Sequence, residues 1–322
     1  MADREDFARL ADPYRGELLA HCYRMLGSVH DAEDLVQDTY VRAWRAFDRF
    51  EGRASVRAWL YRIATRACLT ALERRGRRPL PSGLGAPGAF PELGAGPVVD
   101  AVEWLEPYPG GGPDDPATAV AARESVRLAF VAALQHLPAR QRAVLLLREV
   151  LGWSAAEVAT LLDTSTPAVN SALQRARAQL RAVAPQEDDT APVLSDEAAQ
   201  GFLERYVEAF EKADVAGLVA LMREDVVVEM PPTAVWFRGR RDAEVFFGGR
   251  VFRFGPGYFR LLPVTANGQP SFATYARTEH GRYEAHTLQV LELGAGGFAR
   301  ITAFRDRPSY FTRFGLPEVL PD

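Results

Sequence analysis

The sequence of 322 residues contains one lysine, Lys212, and two cysteines, Cys22 and Cys68. The two cysteines fall on apolar faces of predicted helices, so we interpret them as buried, reduced thiols and not as a disulfide or as metal ligands. No apolar run is long enough to span a bilayer and no signal peptide opens the chain, so we expect a cytoplasmic protein that makes no membrane contact. The sequence shows no metal-ligand spacing, no phosphate-binding glycine loop and no nucleophile triad. We therefore expect no metal, no cofactor and no catalytic residue.

The formal net charge of −4 hides a strong local asymmetry. Residues 42–78 contain 11 arginines and only three acidic residues, Asp48, Glu51 and Glu73. A basic block inside a mildly acidic protein predicts contact with a polyanion.

Residues 137–181 predict a helix, a tight turn and a second helix that can enter a DNA major groove. Ser154 and Glu157 have the spacing of a capping box, and Ser165 is the next candidate N-cap, with Pro167 in the first turn. An apolar seam in the second helix predicts burial on one side, and short polar groups and arginines on the other side suit bases and phosphates. The candidate DNA-reading residues are Ser165, Thr166, Ala168, Asn170, Ser171, Gln174, Arg175 and Arg177.

The preceding N-terminal part predicts helices over residues 5–26, 31–47 and 55–75. Asp34, Gln37, Asp38 and Val41 share one face of the second of these helices. Pattern alone favours a solvated surface for that face over a docking surface. In the third helix, aromatic residues alternate with arginines, a pattern suited to single-stranded or partly opened DNA.

The remaining chain divides by composition. Residues 79–117 are rich in Pro and Gly and predict a linker. Within it, Val102, Trp104, Leu105 and Tyr108 form an apolar island that we expect to dock on a folded domain. Residues 118–136 predict a helix. After a short acidic linker, residues 196–322 predict an α+β domain with two helices and a curved sheet. Its predicted strands are 226–230, 234–237, 258–264, 272–278, 283–293 and 298–304, with a hairpin turn at Asn267–Gly268.

Three segments in the same order resemble a known family. DAEDLVQDTYVRAW, FEGRASVRAWLYRIATRACLTALERR and the 137–181 stretch resemble regions 2.2, 2.3–2.4 and 4 of extracytoplasmic-function (ECF) sigma factors, the smallest class of the sigma-70 family of bacterial transcription initiation factors. The C-terminal part is similar to the SnoaL-like cone fold. The resemblance implies a multidomain chain with two all-α sigma domains followed by an α+β domain. The expected segments are a region 2 domain at 1–78, a linker at 79–117, a region 4 domain at 118–185, a linker at 186–195 and a SnoaL-like domain at 196–322.

The resemblance also implies partners and residue roles. The partners would be core RNA polymerase, through its β′ clamp helices and β flap, and promoter DNA. The polymerase-binding residues would be Asp34, Gln37, Asp38 and Val41, which reverses the interpretation from pattern alone. The residues along the melted minus-10 element would be Phe50, Arg53, Ser55, Arg57, Trp59, Arg62, Arg66, Thr70 and Arg74. Residues 165–177 would read the minus-35 element. The C-terminal SnoaL-like domain would regulate the protein in cis, together with a linker that contains Trp104, Leu105 and Pro107 of a W-L-x-P motif.

Three departures and two alternative functions stay open. Arg66 stands where many relatives have Asn, and Thr70 stands where many have Asn or Asp. Asp163 replaces the usual turn glycine, and the tail lacks a DGGGK-like motif. The tail could instead be an enzyme or sense a small ligand or a protein, in a pocket that could include Trp236, Phe246, Tyr258, Tyr275, His286 and Asp306. A one-component repressor or activator would explain residues 137–181 and the tail, but it leaves residues 28–75 without a role.

Overall fold

The computed structural model describes residues 4–50, 52, 55–89, 91–93, 96–110, 125–183, 196–294, 296–305 and 307–321. Contacts divide the chain into two compact units, and each is composed of two separate stretches of sequence. The first unit contains residues 1–78 and 113–184, and the second contains residues 79–112 and 185–322. None of the helices among these described residues combines the length and the hydrophobicity that crossing a bilayer requires.

The first unit is all-helical in the part that is described. Its N-terminal helices are α1 Arg4–Ala11, α2 Arg15–Leu26, α3 Val29–Ala46 and α4 Val56–Leu72. Its later helices are α5 Leu128–Leu134, α6 Ala139–Leu145, α7 Ala155–Leu161 and α8 Thr166–Val183. The sequence predicts one helix over 5–26, but a 3-10 turn at Asp12–Tyr14 divides it, because Pro13 cannot donate to the helical ladder.

The prediction of a helix over 118–136 is wrong for residues 125–127. Residues 118–124 lie outside the described residues, and α5 begins only at Leu128, because Arg127 has extended backbone angles. Cys22 and Cys68 are free, buried thiols in the core between α2 and α4.

The second unit packs helices on a six-stranded sheet. Its helices are α9 Asp196–Glu211, α10 Val215–Ala220, α11 Arg240–Phe246 and α12 Ser309–Arg313. Its strands are β1 Met222–Glu229, β2 Trp236–Arg238, β3 Phe259–Ala266, β4 Gln269–Arg277, β5 Tyr283–Gly294 and β6 Gly297–Arg305.

The strand order is β2-β1-β6-β5-β4-β3. All neighbouring strands are antiparallel except β1 and β6, which are parallel. All six predicted strands are present with shifted ends. The tight turn between β3 and β4 falls at Asn267–Gly268, where both residues have a positive φ, as a type I′ hairpin requires.

Candidate nucleic-acid interface

The predicted polymerase-binding face lies on α3. Ser28 caps this helix by accepting a hydrogen bond from the backbone N–H of Asp31 at 3.1 Å. Asp34, Gln37 and Val41 are exposed, and Val41 is 41% exposed although it is apolar. Asp38 is partly buried and forms an ion pair with Arg42 at 2.8 Å. The face therefore presents carboxylates and one apolar side chain to its surroundings.

The predicted minus-10 residues lie at the start and along one side of α4. Ser55 caps α4 by accepting a hydrogen bond from the backbone N–H of Ala58 at 3.1 Å. The rings of Phe50 and Trp59 pack with centroids 4.7 Å apart. Thr70 and Arg74 are exposed, and Arg53 lies outside the described residues.

Arg57 differs from the other predicted minus-10 arginines, because its guanidinium is engaged inside the domain. It forms an ion pair with Glu17 at 2.6 Å, and the hydroxyl of Tyr61 donates to the same carboxylate at 3.2 Å. The guanidinium also lies 5.1 Å from the centre of the Tyr61 ring. Arg57 thus anchors α4 to α2 in this conformation.

The helix-turn-helix is formed by α7 and α8, as the sequence predicts. The capping box is complete: Ser154 Oγ accepts from the Glu157 N–H at 3.2 Å, and Glu157 accepts from the Ser154 N–H at 2.7 Å. These hydrogen bonds with Ser154 lower the pKa of Glu157. Asp163 adopts a φ of 50° in the turn, a left-handed conformation that Asp tolerates better than most residues.

The second helix of the motif, α8, separates buried from exposed side chains. Ser165 caps it by accepting from the Ala168 N–H at 3.3 Å. Val169, Leu173 and Ala176 are buried. The opposite face contains the predicted minus-35 residues, of which all but the partly buried Ser171 are exposed: Ser165, Thr166, Ala168, Asn170, Gln174, Arg175 and Arg177. Two of the arginines already have partners, since Arg175 donates to Ser171 Oγ at 2.6 Å and Arg177 pairs with Glu149 at 2.6 Å.

The two predicted DNA-binding surfaces contact each other within the first unit. Asp163 of the helix-turn-helix turn forms a hydrogen-bonded ion pair with Arg66 and lies 3.9 Å from Arg62. The Tyr61 and Trp153 rings meet edge to face, with centroids 5.7 Å apart. Sequence reasoning missed this contact. The available signal was an acidic residue at a turn position where a glycine is usual.

A buried arginine of the motif LPARQR also joins the two helical parts. Arg142 is 4% exposed, donates to the backbone carbonyl of Met25 at the end of α2, and donates to Gln135 Oε1 at 2.8 Å. Burial lowers the pKa of Arg142 to about 10. Nearby, Arg77 and His136 are 2.9 Å apart.

The described part of the predicted linker packs on the C-terminal domain. Trp104, Leu105 and Pro107 are buried, and the Trp104 indole N–H donates to the Val99 carbonyl at 3.2 Å. The segment 79–110 contains only two short 3-10 turns, Pro81–Gly83 and Pro91–Leu93, within its described residues. It is therefore an ordered strap without regular helices or strands.

Hydrogen bonds attach this strap to two connections of the sheet, one between β1 and β2 and the other between β3 and β4. The Val99 N–H donates to the Pro232 carbonyl at 2.9 Å. At the β3–β4 turn, the Tyr108 N–H donates to Asn267 Oδ1 at 2.9 Å, and the Asn267 N–H donates to the Tyr108 carbonyl at 2.7 Å. Asn267 is completely buried, although it lies in a hairpin turn.

A buried ion pair extends the strap's attachment near its start. Glu229 is completely buried, accepts from the Ser82 N–H at 3.1 Å, and pairs with Arg300 at 2.7 Å. Thr302 donates to the same carboxylate at 3.1 Å. Removing one member of such a network leaves a buried charge without compensation, so the network positions the strap strongly.

Of the predicted tail-pocket residues, three line a cavity in the C-terminal domain and two do not. Phe246, Tyr258 and His286 lie in its wall. Trp236 lies outside it because its indole N–H faces the strap and donates to the Gly85 carbonyl at 3.0 Å. Tyr275 lies outside it because its hydroxyl donates to the Pro317 carbonyl at 2.8 Å. Asp306 is outside the described residues, within which no cluster of His, Cys, Asp and Glu could hold a metal ion.

Comparison with known proteins agrees with a division into two helical regions and a C-terminal α+β domain. Family models match sigma-70 region 2 at residues 10–78, sigma-70 region 4 at residues 127–180, and the SnoaL-like domain at residues 203–303. The ECF RNA polymerase sigma factor SigG of Mycobacterium tuberculosis is 50% identical over 323 residues, which cover 98% of this chain and 85% of the relative.

A second relative is similar in sequence and in structure. The ECF RNA polymerase sigma factor SigJ of Mycobacterium tuberculosis is 32% identical over 256 residues, which cover 76% of this chain and 73% of SigJ. The SigJ crystal structure superposes with a TM-score of 0.64 at 25% identity, over 98% of this chain and all of the other. Two helical sigma domains, a helix-turn-helix and an α+β tail thus occur together, and the chain belongs to the ECF RNA polymerase sigma factors of the sigma-70 family, which are transcription initiation factors and not enzymes.

Proposed function

We propose that the exposed face of α3 docks on the β′ clamp helices of core RNA polymerase, while the region 4 domain meets the β flap. Asp34, Gln37, Asp38 and Val41 form the α3 face. Its exposed carboxylates suit a basic partner, because complementary charge steers association and fixes the register of an interface. The protein acts in the cytoplasm, where bacterial polymerase and the chromosome are found.

Region 2 then holds the melted minus-10 element, and region 4 reads the minus-35 element. Phe50 and Trp59 form an aromatic surface on which an unpaired base can stack, and the exposed arginines of α4 can neutralise phosphates. On α8, Asn170 and Gln174 suit base edges in the major groove, and Arg175 and Arg177 suit phosphates or guanine.

The single observation that supports control of this activity is the contact between Asp163 and Arg66. The two promoter elements are separated by roughly 25 base pairs, or about 85 Å at 3.4 Å per base pair. Side chains that are hydrogen-bonded to each other cannot serve both elements at once. This conformation must therefore open before both elements are bound.

The C-terminal domain controls that opening through the strap. The strap lies between region 2 and region 4 along the chain, and several of its described residues are hydrogen-bonded to the C-terminal domain. While the strap is attached, less of the connecting chain is free to extend between the two promoter-binding domains. Polymerase and promoter favour the released arrangement, and a factor that stabilises attachment opposes them.

The docking surface is tested by charge reversal. Asp38→Arg should weaken binding to core polymerase by about tenfold or more, because it places like charge against a basic partner. Asp48→Arg is the matched control, since Asp48 is exposed in the same domain but lies off the α3 face. The measurement is affinity for purified core enzyme, followed by run-off transcription. Equal affinities for the two variants would contradict the assignment of this face.

A further inference from the structure

The C-terminal domain encloses a cavity between α9, the helical turn after α11 and the concave face of the sheet. Its volume is about 410 Å³, within the range of about 300–1,000 Å³ that is typical of small-molecule sites. Aromatic and aliphatic side chains form most of the wall, among them Phe210, Phe247, Phe259 and Ile301. The wall therefore suits the apolar body of a ligand.

Polar groups also line the cavity. The Tyr206 hydroxyl donates to Gln289 Oε1 at 2.5 Å, and both side chains are buried. Thr274 also lines the cavity and is 1% exposed, but its hydroxyl oxygen has no hydrogen-bond partner within the described residues. The Nε of Arg305 is also buried and has no hydrogen-bond partner within the described residues. Buried polar atoms generally form hydrogen bonds, so these two groups are available to the polar atoms of a bound ligand.

The charge of the lining has one sign. Arg250, Arg253 and Arg305 line the cavity together with His286, and none of the described lining residues is Asp or Glu. Arg250 and Arg253 are exposed at one end, where the Arg253 guanidinium lies 4.4 Å from the centre of the Phe254 ring. Three arginines beside an apolar cavity without a carboxylate favour an anion.

We propose that this cavity binds an organic monoanion with a flat apolar body, such as an aromatic carboxylic acid. The carboxylate meets the arginines and the unpartnered groups, and the ring system occupies the aromatic part of the wall. This inference stands on the cavity alone and does not depend on control through the strap. Gly96 of the strap is one of the lining residues, so an occupied cavity also places the ligand next to the strap.

The charge of the ligand is tested with a matched pair of probes. Isothermal titration of the full-length protein with 2-naphthoate and with neutral 2-naphthamide compares two molecules of nearly the same shape. The naphthoate should bind about tenfold more tightly, since it alone offers a charged acceptor to the arginines. Benzoate and decanoate test smaller and longer apolar bodies. Equal affinities for acid and amide, or no binding by any of these carboxylates, would overturn the proposal.

Variants identify the site of binding. Arg305→Gln should reduce naphthoate affinity by about tenfold and leave the amide nearly unchanged. The double variant Arg250→Gln and Arg253→Gln makes the same test with exposed residues, so it remains informative if Arg305→Gln does not fold. Arg241→Gln is the control, since Arg241 is exposed on α11 but does not line the cavity. Naphthoate binding that Arg241→Gln weakens as much as the cavity variants do would show that the cavity is not the site.

Discussion

The side chain of His21 lies in the core of the region 2 domain. It is completely buried, and its Nε2 lies 2.9 Å from the Thr65 hydroxyl. Burial and the nearby positive charge of Arg24 lower the pKa of His21 from 6.5 to about 3. The folded protein therefore keeps this imidazole neutral at pH values at which an unfolded chain protonates it.

We expect the free energy of unfolding to fall as the pH decreases from 6.5 towards 3. The unfolded state binds the proton first, so acid favours unfolding, by about 1.4 kcal/mol per pH unit for one such group. The measurement is thermal unfolding of the native protein and of His21→Gln across this pH window. Gln retains a hydrogen-bonding group but does not titrate, so its stability should depend less on pH. His280→Gln, at an exposed position, is the control. An identical pH dependence for native protein and His21→Gln would contradict the expectation.

At the scale of elements, the turn between α7 and α8 contacts the side of α4 that carries the predicted minus-10 arginines Arg62 and Arg66. Asp163 supports a left-handed turn and also pairs with Arg66. Both side chains are substantially exposed, 71% for Asp163 and 45% for Arg66, so the pair contributes below about 1 kcal/mol. We therefore expect the ion pair to affect the availability of Arg66 and Arg62 for other partners more than the stability of the fold.

Asp163→Asn separates these two roles, because Asn tolerates the left-handed conformation but lacks the charge. We expect single-stranded minus-10 oligonucleotides to bind the free protein more tightly, by at most about fivefold. Asp225→Asn is the control, because it makes the same charge change at an exposed site in the other unit. Fluorescence anisotropy at low salt measures the effect. Equal gains in both variants would mean that net charge, and not the ion pair, is responsible.

Capping residues, turn residues and hydrophobic periodicity predicted most helices and strands. They could not predict which distant segments contact each other. Ser154 and Glu157 predict the start of a helix, because both hydrogen bonds of a capping box form within four residues. Asn267–Gly268 likewise predicts a hairpin, because these two neighbouring residues readily adopt the positive φ that the turn requires. The parallel pairing of β1 with β6 depends on segments about 70 residues apart, and no turn residue encodes it. The pairing of Arg66 with Asp163 likewise depends on how two helical domains pack.

Sequence reasoning was more successful for the buried and exposed sides of α8 than for the tail pocket. On α8, helical periodicity separates Val169 and Leu173 from Thr166 and Asn170, and this separation is observed. In the tail, Trp236 and Tyr275 are aromatic residues on strands, as the lining residues Phe259 and His286 are, but their polar atoms bond outside the cavity. Alternation along a strand identifies a face, whereas a cavity depends on which helix covers that face.

At the scale of the whole molecule, the strap lies between the two promoter-binding domains along the chain and is hydrogen-bonded to the C-terminal domain. We expect Asn267→Gly to raise transcription from a target promoter by about fivefold. Glycine keeps the type I′ turn but removes the oxygen that accepts from the Tyr108 N–H, a loss of about 1 kcal/mol that favours release of the strap. The measurement is run-off transcription with saturating core polymerase.

Ala213→Gly is the matched control for that variant. Ala213 has a positive φ of 54° in the same domain, and its backbone N–H donates to the Phe210 carbonyl and not to the strap. If the two glycine variants gave the same output as the native protein, control through the strap would be wrong, while the docking assignment on α3 and the anion site would be unaffected.

The position of β6 between β1 and β5 has a consequence for the newly made protein. The sheet stays in two pieces until β6 ends at Arg305, whereas the last helix of region 4 ends at Val183. At ribosomal speeds of about 5–20 residues per second, these roughly 120 residues take on the order of ten seconds to synthesise. During that interval the nascent chain carries both promoter-binding domains without a finished surface to hold the strap. Under the proposed control through the strap, the two promoter-binding domains are therefore restrained only after β6 has been synthesised.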